Sequence, residues 1–269
     1  MANLQDRRKS GGEAESSNSG YQLHEFDHVI FRSKLELVAS EFINTNYMFE
    51  NIPFKQIVED QKLEKFLRLE STTYPSQVEE FYENLQKHKT RDVLKTEVKG
   101  KQITLDVGWF VKHMGMENSG LVLRTDLDVV KNKYDANLWL PEGFFGEKQA
   151  THWPKEPRFA HFLLAHLLLP KKGSVNSASL FYHGVTQFLC NQVKINIPIL
   201  IINFMSKNKY AYGNLIAKIC ASMGIEGEKE DGIEGQRISN ETFAKLKYDQ
   251  EWDREAAIKL KEAKQRRKK

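Results

Sequence analysis

The chain has 269 residues, of which 40% are hydrophobic, and this is enough to bury a substantial core. The formal net charge is +4, but residues 251–269 hold eight Lys and Arg against four Asp and Glu, so the rest of the chain is neutral. These values exclude a uniformly basic body, and the apolar runs, such as 198–202, are far shorter than the roughly 20 residues that span a bilayer.

The N-terminal residues 1–25 are rich in Ser, Gly and charged side chains and show no apolar periodicity. This composition predicts a disordered N-terminal arm. The arm has no apolar stretch typical of a signal peptide, so we expect an intracellular protein without a membrane partner. A first helix is predicted over 32–46, because apolar side chains recur there on one helical face.

The clearest local patterns lie between residues 76 and 115. A helix is predicted over 76–88, where Ser76 forms a capping box with Glu79 and apolar side chains recur at helical spacing up to Leu85. Alternating residues then predict a β-hairpin over 94–105, with its turn at Lys99 and Gly100. Asp106 is expected to cap a short helix that Gly115 ends. Residues 115–156 have weak periodicity and predict a long irregular section.

The C-terminal half is predicted to be more regular. Residues 157–169 are apolar on nearly all sides, which is typical of a central helix. Further helices are predicted from Ser174, from the Asn196 cap and over 209–223. The sequence thus predicts a mainly α fold with one small β-hairpin. Its expected parts are an irregular multi-helix domain over 26–225, an acidic Gly-rich linker over 226–235, and a charged, basic-ended C-terminal helix within 236–269.

The segment Lys171-Lys172-Gly173-Ser174 lies between two apolar runs and could be a phosphate-binding loop or a turn. A Walker-type loop needs the spacing G-x-x-x-x-G-K-[ST] after a strand, and only Gly173 is present here. In the alternative, Pro170 ends one helix, the lysines lie at its negative end, and Ser174 caps the next helix. We predict a turn.

No other pattern indicates catalytic or metal chemistry. His24 and His28 are four residues apart without an evident third ligand, and His161 and His166 are five apart, with His166 on an apolar stripe, which favours core histidines. The acids Asp126 and Asp128 are expected to be solvated. The chain has two cysteines, Cys190 and Cys220, and both are expected to be free, buried thiols. We therefore expect neither an enzyme nor a cofactor.

Residues 261–269 form a basic cluster at the end of the chain, which we call the basic tail. Six of the last nine residues are basic, and only one is acidic. Such a cluster can act as a nuclear-import signal or neutralise phosphates of a nucleic acid, whereas a solvated helix end is the alternative. The residues that would serve in either role are Lys261, Lys264, Arg266, Arg267, Lys268 and Lys269.

Four stretches in sequence order carry a resemblance to a known family. They are YPSQVEEFYENL at 74–85, VKGKQITLD at 98–106, AHFLLAHLLLPKKGSVNSAS at 160–179 and YAYGNLIAKICASMGIEGEKE at 210–230. Together they resemble the plant transposon-protein domain, a family found in plant genomes alongside retrotransposon sequences, over roughly 25–250. The chain departs from that pattern at Cys190 and Asn191, where family members often have a Thr-Gly-like pair.

The resemblance implies an origin in a plant transposable element and a nuclear context, and it brings no established catalytic residues. We therefore expect a non-enzymatic module for protein association or gag-like assembly, with nucleic-acid contact through the basic tail. Two alternatives stay open. One is a nuclease- or integrase-type accessory enzyme of a mobile element. The other is a host-recruited adaptor that binds protein partners through the charged helix predicted over 240–266.

Overall fold

The computed structural model describes residues 25–29, 33–34, 41–43, 52–124, 150, 153–171, 177–228 and 232–238. The helices in these ranges are α1 (Ile52–Gln61), α2 (Glu64–Leu67), α3 (Pro75–Glu83), α4 (Val107–Met114), α5 (Lys155–Phe162), α6 (Leu180–Cys190), α7 (Ile197–Met205) and α8 (Gly213–Ser222). A π-helical segment, Leu163–Leu168, continues α5 directly.

The strands in the same ranges are β1 (Phe26–His28), β2 (Ser33–Lys34), β3 (Glu41–Ile43), β4 (Gln86–His88), β5 (Val93–Val98), β6 (Lys101–Asp106), β7 (Asn208–Lys209) and β8 (Gln236–Ile238). Four of them form an antiparallel sheet in the order β1-β4-β5-β6. The others form two parallel pairs, β2 with β7 and β3 with β8.

The predicted mainly α fold is therefore wrong, and the fold is mixed α/β. The predicted hairpin is confirmed as β5 and β6, but two further strands extend it into a sheet. Strands β1 and β4 have three residues each, too few to show the alternation that identifies a strand in sequence. Strand β4 was included in the predicted helix, which in fact ends at Glu83.

The N-terminal helix predicted over 32–46 is also wrong where the structure describes it, because β2 and β3 lie in that range. Apolar spacing alone does not separate a helix from short strands that pair with distant segments. The predicted linker, 226–235, leads into β8, so residues 236–238 form a strand and not the start of a helix. The rest of that predicted helix, and nearly all of the arm 1–25, lie outside the described residues.

The local predictions between residues 75 and 115 are largely confirmed. Helix α3 buries Val78, Phe81 and Tyr82, although Tyr74 and not Ser76 is its N-cap. The hairpin turn places both Lys99 and Gly100 at positive φ, 48° and 71°, as a type I′ hairpin turn requires. The carboxylate of Asp106 accepts a hydrogen bond from the Trp109 amide at 2.9 Å, and Gly115 ends α4 at a φ of 68°.

The core is centred on α5, the π-helical segment, α6 and α7. Helix α5 packs on α6, α4 packs on α7 and β6, and α3 packs on α8 and β5. Residues 181–189 of α6 are all buried, so this helix has no exposed face over that length. It begins at Leu180 and not at Ser174, the predicted first residue. The predicted cap at Asn196 is confirmed, since its side chain accepts from the Ile199 amide at 3.2 Å.

Two tyrosines satisfy the carbonyl groups at the end of the π-helical segment. The Tyr212 hydroxyl donates to the Leu168 carbonyl, and the Tyr182 hydroxyl donates to the Leu169 carbonyl at 2.7 Å. Carbonyls at a helix end have no partner within the helix, and burying them without one is costly. Burial raises the pKa of both phenols well above the ordinary value, so both remain protonated donors.

Three helices end in the same backbone motif, in which one residue adopts a left-handed conformation. At the end of α1, the Lys62 amide donates to the Glu59 carbonyl and the Leu63 amide donates to the Val58 carbonyl, which is the Schellman arrangement. Gln192 and Gly224 occupy the equivalent position after α6 and α8. Glycine is preferred there, yet Lys62 and Gln192 have φ values of 55° and 56°.

Three segments meet where α1 ends, and we call them the central joint: residues 60–62, 117–121 and 193–196. The buried Gln61 side chain donates to the Val193 carbonyl at 2.9 Å and accepts from the Ile195 amide at 3.0 Å. The Lys194 ammonium donates to the Asp60 carbonyl at 2.7 Å and pairs with Glu117 at 2.9 Å. The hydrogen bond and charge of Lys194 lower the pKa of Glu117.

We predict that Gly120→Ala destabilises the central joint. Gly120 has a φ of 100°, and a Cβ atom there would lie 2.5 Å from the Lys194 carbonyl oxygen. The strained backbone and the overlap together should cost about 3 kcal/mol or more in the free energy of unfolding, measured by urea denaturation. The control is Gly115→Ala, which has a φ of 68° and no atom within 4 Å of the new Cβ. It should cost about 1 kcal/mol, and equal losses would contradict the prediction.

We also predict that Gln61→Leu lowers the free energy of unfolding by about 2–4 kcal/mol. The substitution leaves the Val193 carbonyl and the Ile195 amide buried without their partner, and each such group costs about 1–3 kcal/mol. The control is Gln56→Leu on the exposed side of the same helix, which should change stability by less than about 0.5 kcal/mol. A loss of the same size in both variants would show that the paired amide is not the cause.

Candidate anion-binding cleft

An open cleft of about 990 Å³ lies between α1, helix α2, the C-terminal end of α4 and Lys218 in the middle of α8. We call it the cationic cleft. Its floor includes the buried side chains of Val58 and Met114. Its charged lining residues are Lys55, Glu59, Lys62, Glu64, Lys65, Arg68, Glu70 and Lys218.

Two of the acids are neutralised by a neighbour one helical turn away. Lys55 pairs with Glu59 at 3.6 Å, and Arg68 pairs with Glu64 at 3.1 Å. By contrast, the described residues give no salt-bridge partner to the other three cations of the cleft, which are Lys62, Lys65 and Lys218. Lys62 and Lys65 are three residues apart, whereas Lys218 is remote in sequence, so the fold adds the charge of α8 to that of α2 and of the connection that precedes it.

A histidine on α4 responds to this positive charge. The pKa of His113 lies below its usual value, firstly because of desolvation and then because of the charges of Lys112, Lys65 and Lys218. Its imidazole ring stacks on the Trp109 indole with a centroid distance of 4.8 Å and an angle of 18° between the planes. The indole is fixed in turn by a 3.3 Å hydrogen bond to the Ser222 hydroxyl.

A second, smaller groove of about 450 Å³ adjoins the cationic cleft and shares Glu59 and Lys62 with it. Its other lining residues are Asp60, Glu117, Gln192 and Lys194. Here the acids outnumber the lysines, and Lys194 already pairs with Glu117. The potential for binding an anion is therefore concentrated in the larger cleft.

The cysteine thiols are not activated nucleophiles. Both are free, as predicted, but only Cys220 is buried, whereas Cys190 is partly buried. Burial raises the pKa of Cys220 to about 11, and burial together with the charge of Glu156 raises that of Cys190 further. At neutral pH both groups are thiols, which are weak nucleophiles.

The other predicted site residues are dispersed. His161 is fully buried, with its ring centroid 5.3 Å from that of Trp153. His166 is only partly buried and stacks on Phe162 at 4.2 Å, so the prediction of a core histidine is correct for His161 and wrong for His166. His28 lies exposed on β1. The remaining candidates lie outside the described residues, and they are His24, Asp126, Asp128, Lys261, Lys264, Arg266, Arg267, Lys268 and Lys269.

Of the segment Lys171-Lys172-Gly173-Ser174, only Lys171 is described. Its amide donates to the Ala165 carbonyl at 2.9 Å, and its ammonium group donates to the Ser177 carbonyl. The ammonium also lies 5.7 Å from the centre of the Tyr182 ring. This lysine closes the chain around the end of the π-helical segment, which favours a structural turn over a phosphate-binding loop.

Sequence reasoning missed the cationic cleft because a neutral overall charge conceals local clustering. The sequence signal for the cleft was the close spacing of the basic residues Lys55, Lys62, Lys65 and Arg68. The contribution of Lys218, however, depends on tertiary structure. Similarly, Trp109 and His113 are four residues apart on one predicted helix, and this spacing is typical of ring pairs on a helical surface.

Comparison with known proteins found no matching family model, no matching curated protein and no matching solved structure. Within the described ranges, no cluster of three or more His, Cys, Asp or Glu side chains is arranged to hold a metal ion. Nor does any helix of those ranges have the length and apolar character needed to cross a bilayer. The candidate site is therefore defined by its own geometry and charge.

Proposed function

We propose that the protein is a non-enzymatic binding module that contacts nucleic acid through the cationic cleft. The observation that carries this proposal is the convergence of Lys62, Lys65 and Lys218 on one open surface without salt-bridge partners in the described part of the chain. Lysine ammonium groups are compact cations that bind phosphate oxygens. Bringing three of them together costs electrostatic energy, which a bound polyanion offsets.

The form of the cleft favours an extended polyanion over a small anion. Its volume of about 990 Å³ is spread over an open surface, and its cations come from α1, α2, α8 and the connection between α1 and α2. A single phosphate group could contact only part of this lining. Successive phosphates of a nucleic-acid strand could contact several of these cations at once, releasing condensed counterions from the strand.

The basic tail is the second part of the proposed surface. Its six cations would add phosphate contacts of the same kind, and residues 251–269 account for the whole net charge of the chain, +4. We further propose the origin that the motif resemblance implies, a plant transposable element, with a nuclear location and an associative, gag-like role. The cationic cleft supports the nucleic-acid contact within this proposal, while the origin and location rest on the resemblance and the tail.

The test compares full-length variants that remove equal charge from different places. Lys65→Gln with Lys218→Gln neutralises the cleft, and Arg91→Gln with Lys95→Gln is the matched control on and beside the sheet. Binding of a fluorescent 20-nucleotide strand is measured by anisotropy from about 50 to 200 mM salt. The cleft variant should bind about tenfold more weakly. The slope of log K against log salt, which we call the salt slope, is negative, and its magnitude should decrease by about 1.4 in this variant.

A third variant replaces the six basic tail residues with Gln in the full chain. If both the cleft and the tail contact phosphates, the cleft substitutions and the tail substitutions should each lower the magnitude of the salt slope, independently of one another. Loss of all binding in the tail variant, with no effect of the cleft variant, would limit nucleic-acid contact to the tail. The absence of binding by the unmodified chain at low salt would contradict the proposed function as a whole.

We predict that Lys62→Gly increases stability while it weakens polyanion binding. Glycine removes the cost of a left-handed backbone at the end of α1, which should raise the free energy of unfolding by about 1 kcal/mol. The lost charge should reduce the salt slope by about 0.7. Gln192→Gly relieves the same conformation after α6 without changing charge, so it should stabilise the protein and leave binding unchanged. Unchanged binding in both variants would exclude Lys62 from the binding surface.

A further inference from the structure

We infer that the stacked pair His113 and Trp109 is a platform for an unpaired base, so that the cationic cleft selects single-stranded over duplex nucleic acid. This inference rests on the proposed function and specifies its ligand. The pair is nearly coplanar, at 18°, with the ring centroids 4.8 Å apart. The indole is 6% exposed and the imidazole is partly exposed, so the indole is the support and the imidazole is the accessible layer.

The platform is continuous with the cationic cleft. The two residues that follow His113, Met114 and Gly115, both line the cleft. Two cleft cations, Lys65 and Lys218, are close enough to lower the pKa of His113, as is Lys112 on the same helix. Because the cleft begins at the residue after His113, a strand whose phosphates contact these lysines can place a base on the imidazole ring.

The support beneath the imidazole is rigid. Trp109 is held at its amide by the Asp106 carboxylate and at its indole nitrogen by the Ser222 hydroxyl. Its ring also packs edge-on against Phe110, with the centroids 5.4 Å apart. A ring fixed in this way loses little further conformational freedom when a base stacks on the imidazole above it.

An aromatic ring beside a row of cations is the arrangement that binds single strands with little sequence preference. Stacking of a base on such a ring contributes about 1–3 kcal/mol, and every base has a suitable face. In a duplex, both faces of each internal base are covered by its neighbours, so only the phosphate contacts remain. The same platform gives no equivalent gain to an acidic peptide, whose carboxylates contact only the lysines.

The test uses the full-length protein with three probes: a 20-nucleotide single strand, the corresponding 20-base-pair duplex, and polyglutamate. Affinities are measured by anisotropy at one ionic strength and over a salt series. We expect the unmodified chain to bind the single strand more tightly than the other two. His113→Ala should weaken single-strand binding about 5- to 150-fold while leaving the salt slope and duplex binding unchanged.

Two variants separate the stacking effect from a change in fold. His113→Phe keeps an aromatic ring without a titratable nitrogen and should retain single-strand binding. Val111→Ala alters an exposed side chain on the same helix and should have no effect. Thermal unfolding of each variant shows whether α4 remains folded, and a loss of single-strand binding in His113→Phe equal to that in His113→Ala would overturn the inference.

The remaining outcomes distinguish the inference from the proposed function. Equal affinity for single strand and duplex, or an equal loss of both in His113→Ala, would overturn the stacking platform and leave nucleic-acid binding in place. Polyglutamate binding as tight as that of the single strand, and weakened by Lys65→Gln with Lys218→Gln, would identify the cationic cleft as a site for acidic peptides and overturn both. No binding of any probe would refute the proposed function itself.

Discussion

The side-chain amide of Gln61 is the interaction on which the arrangement of the functional surface depends. It is buried, and its two hydrogen bonds match the donor and the acceptor that the irregular segment at 193–195 presents. Because an unmatched buried amide is costly, the end of α1 can dock in only one position. Lys194 and the close approach of Gly120 join the third segment at the same point. The central joint is thus held by polar contacts that join three segments of the chain.

The central joint positions the cationic cleft, because the last turn of α1 is part of both the joint and the cleft. Gln61 faces the joint, and the next residue, Lys62, turns into the left-handed conformation that places its charge at the edge of the cleft. On the opposite side, α4 contributes the stacked His113 and Trp109, whose indole is tied to α8 through Ser222. Charge, aromatic surface and apolar floor therefore come from separate segments, and only the folded chain assembles them.

Sequence patterns predicted the elements whose determinants are local. The helix around Val78 and Phe81, the turn at Lys99 and Gly100, and the cap at Asp106 each depend on residues a few positions apart. Strands β1 and β4 of the sheet and the parallel strand pairs were missed because two or three residues do not establish a period, and most of their partners are remote. The cationic cleft was missed for a related reason. The charges of residues 1–250 sum to zero, whereas the local clustering depends on the fold, which brings Lys218 of α8 to the same cleft as Lys62 and Lys65.

The pairing of β3 with β8 has a consequence for how the chain acquires its structure. The register joins Glu41 to Gln236, so the two strands are about 200 positions apart. During synthesis β3 emerges early but stays without its partner until most of the polypeptide has followed, and β2 waits almost as long for β7. Closing such long loops is entropically costly and slow. The four-stranded sheet, whose members lie within residues 26–106, can form well before these closures, which are expected to complete folding.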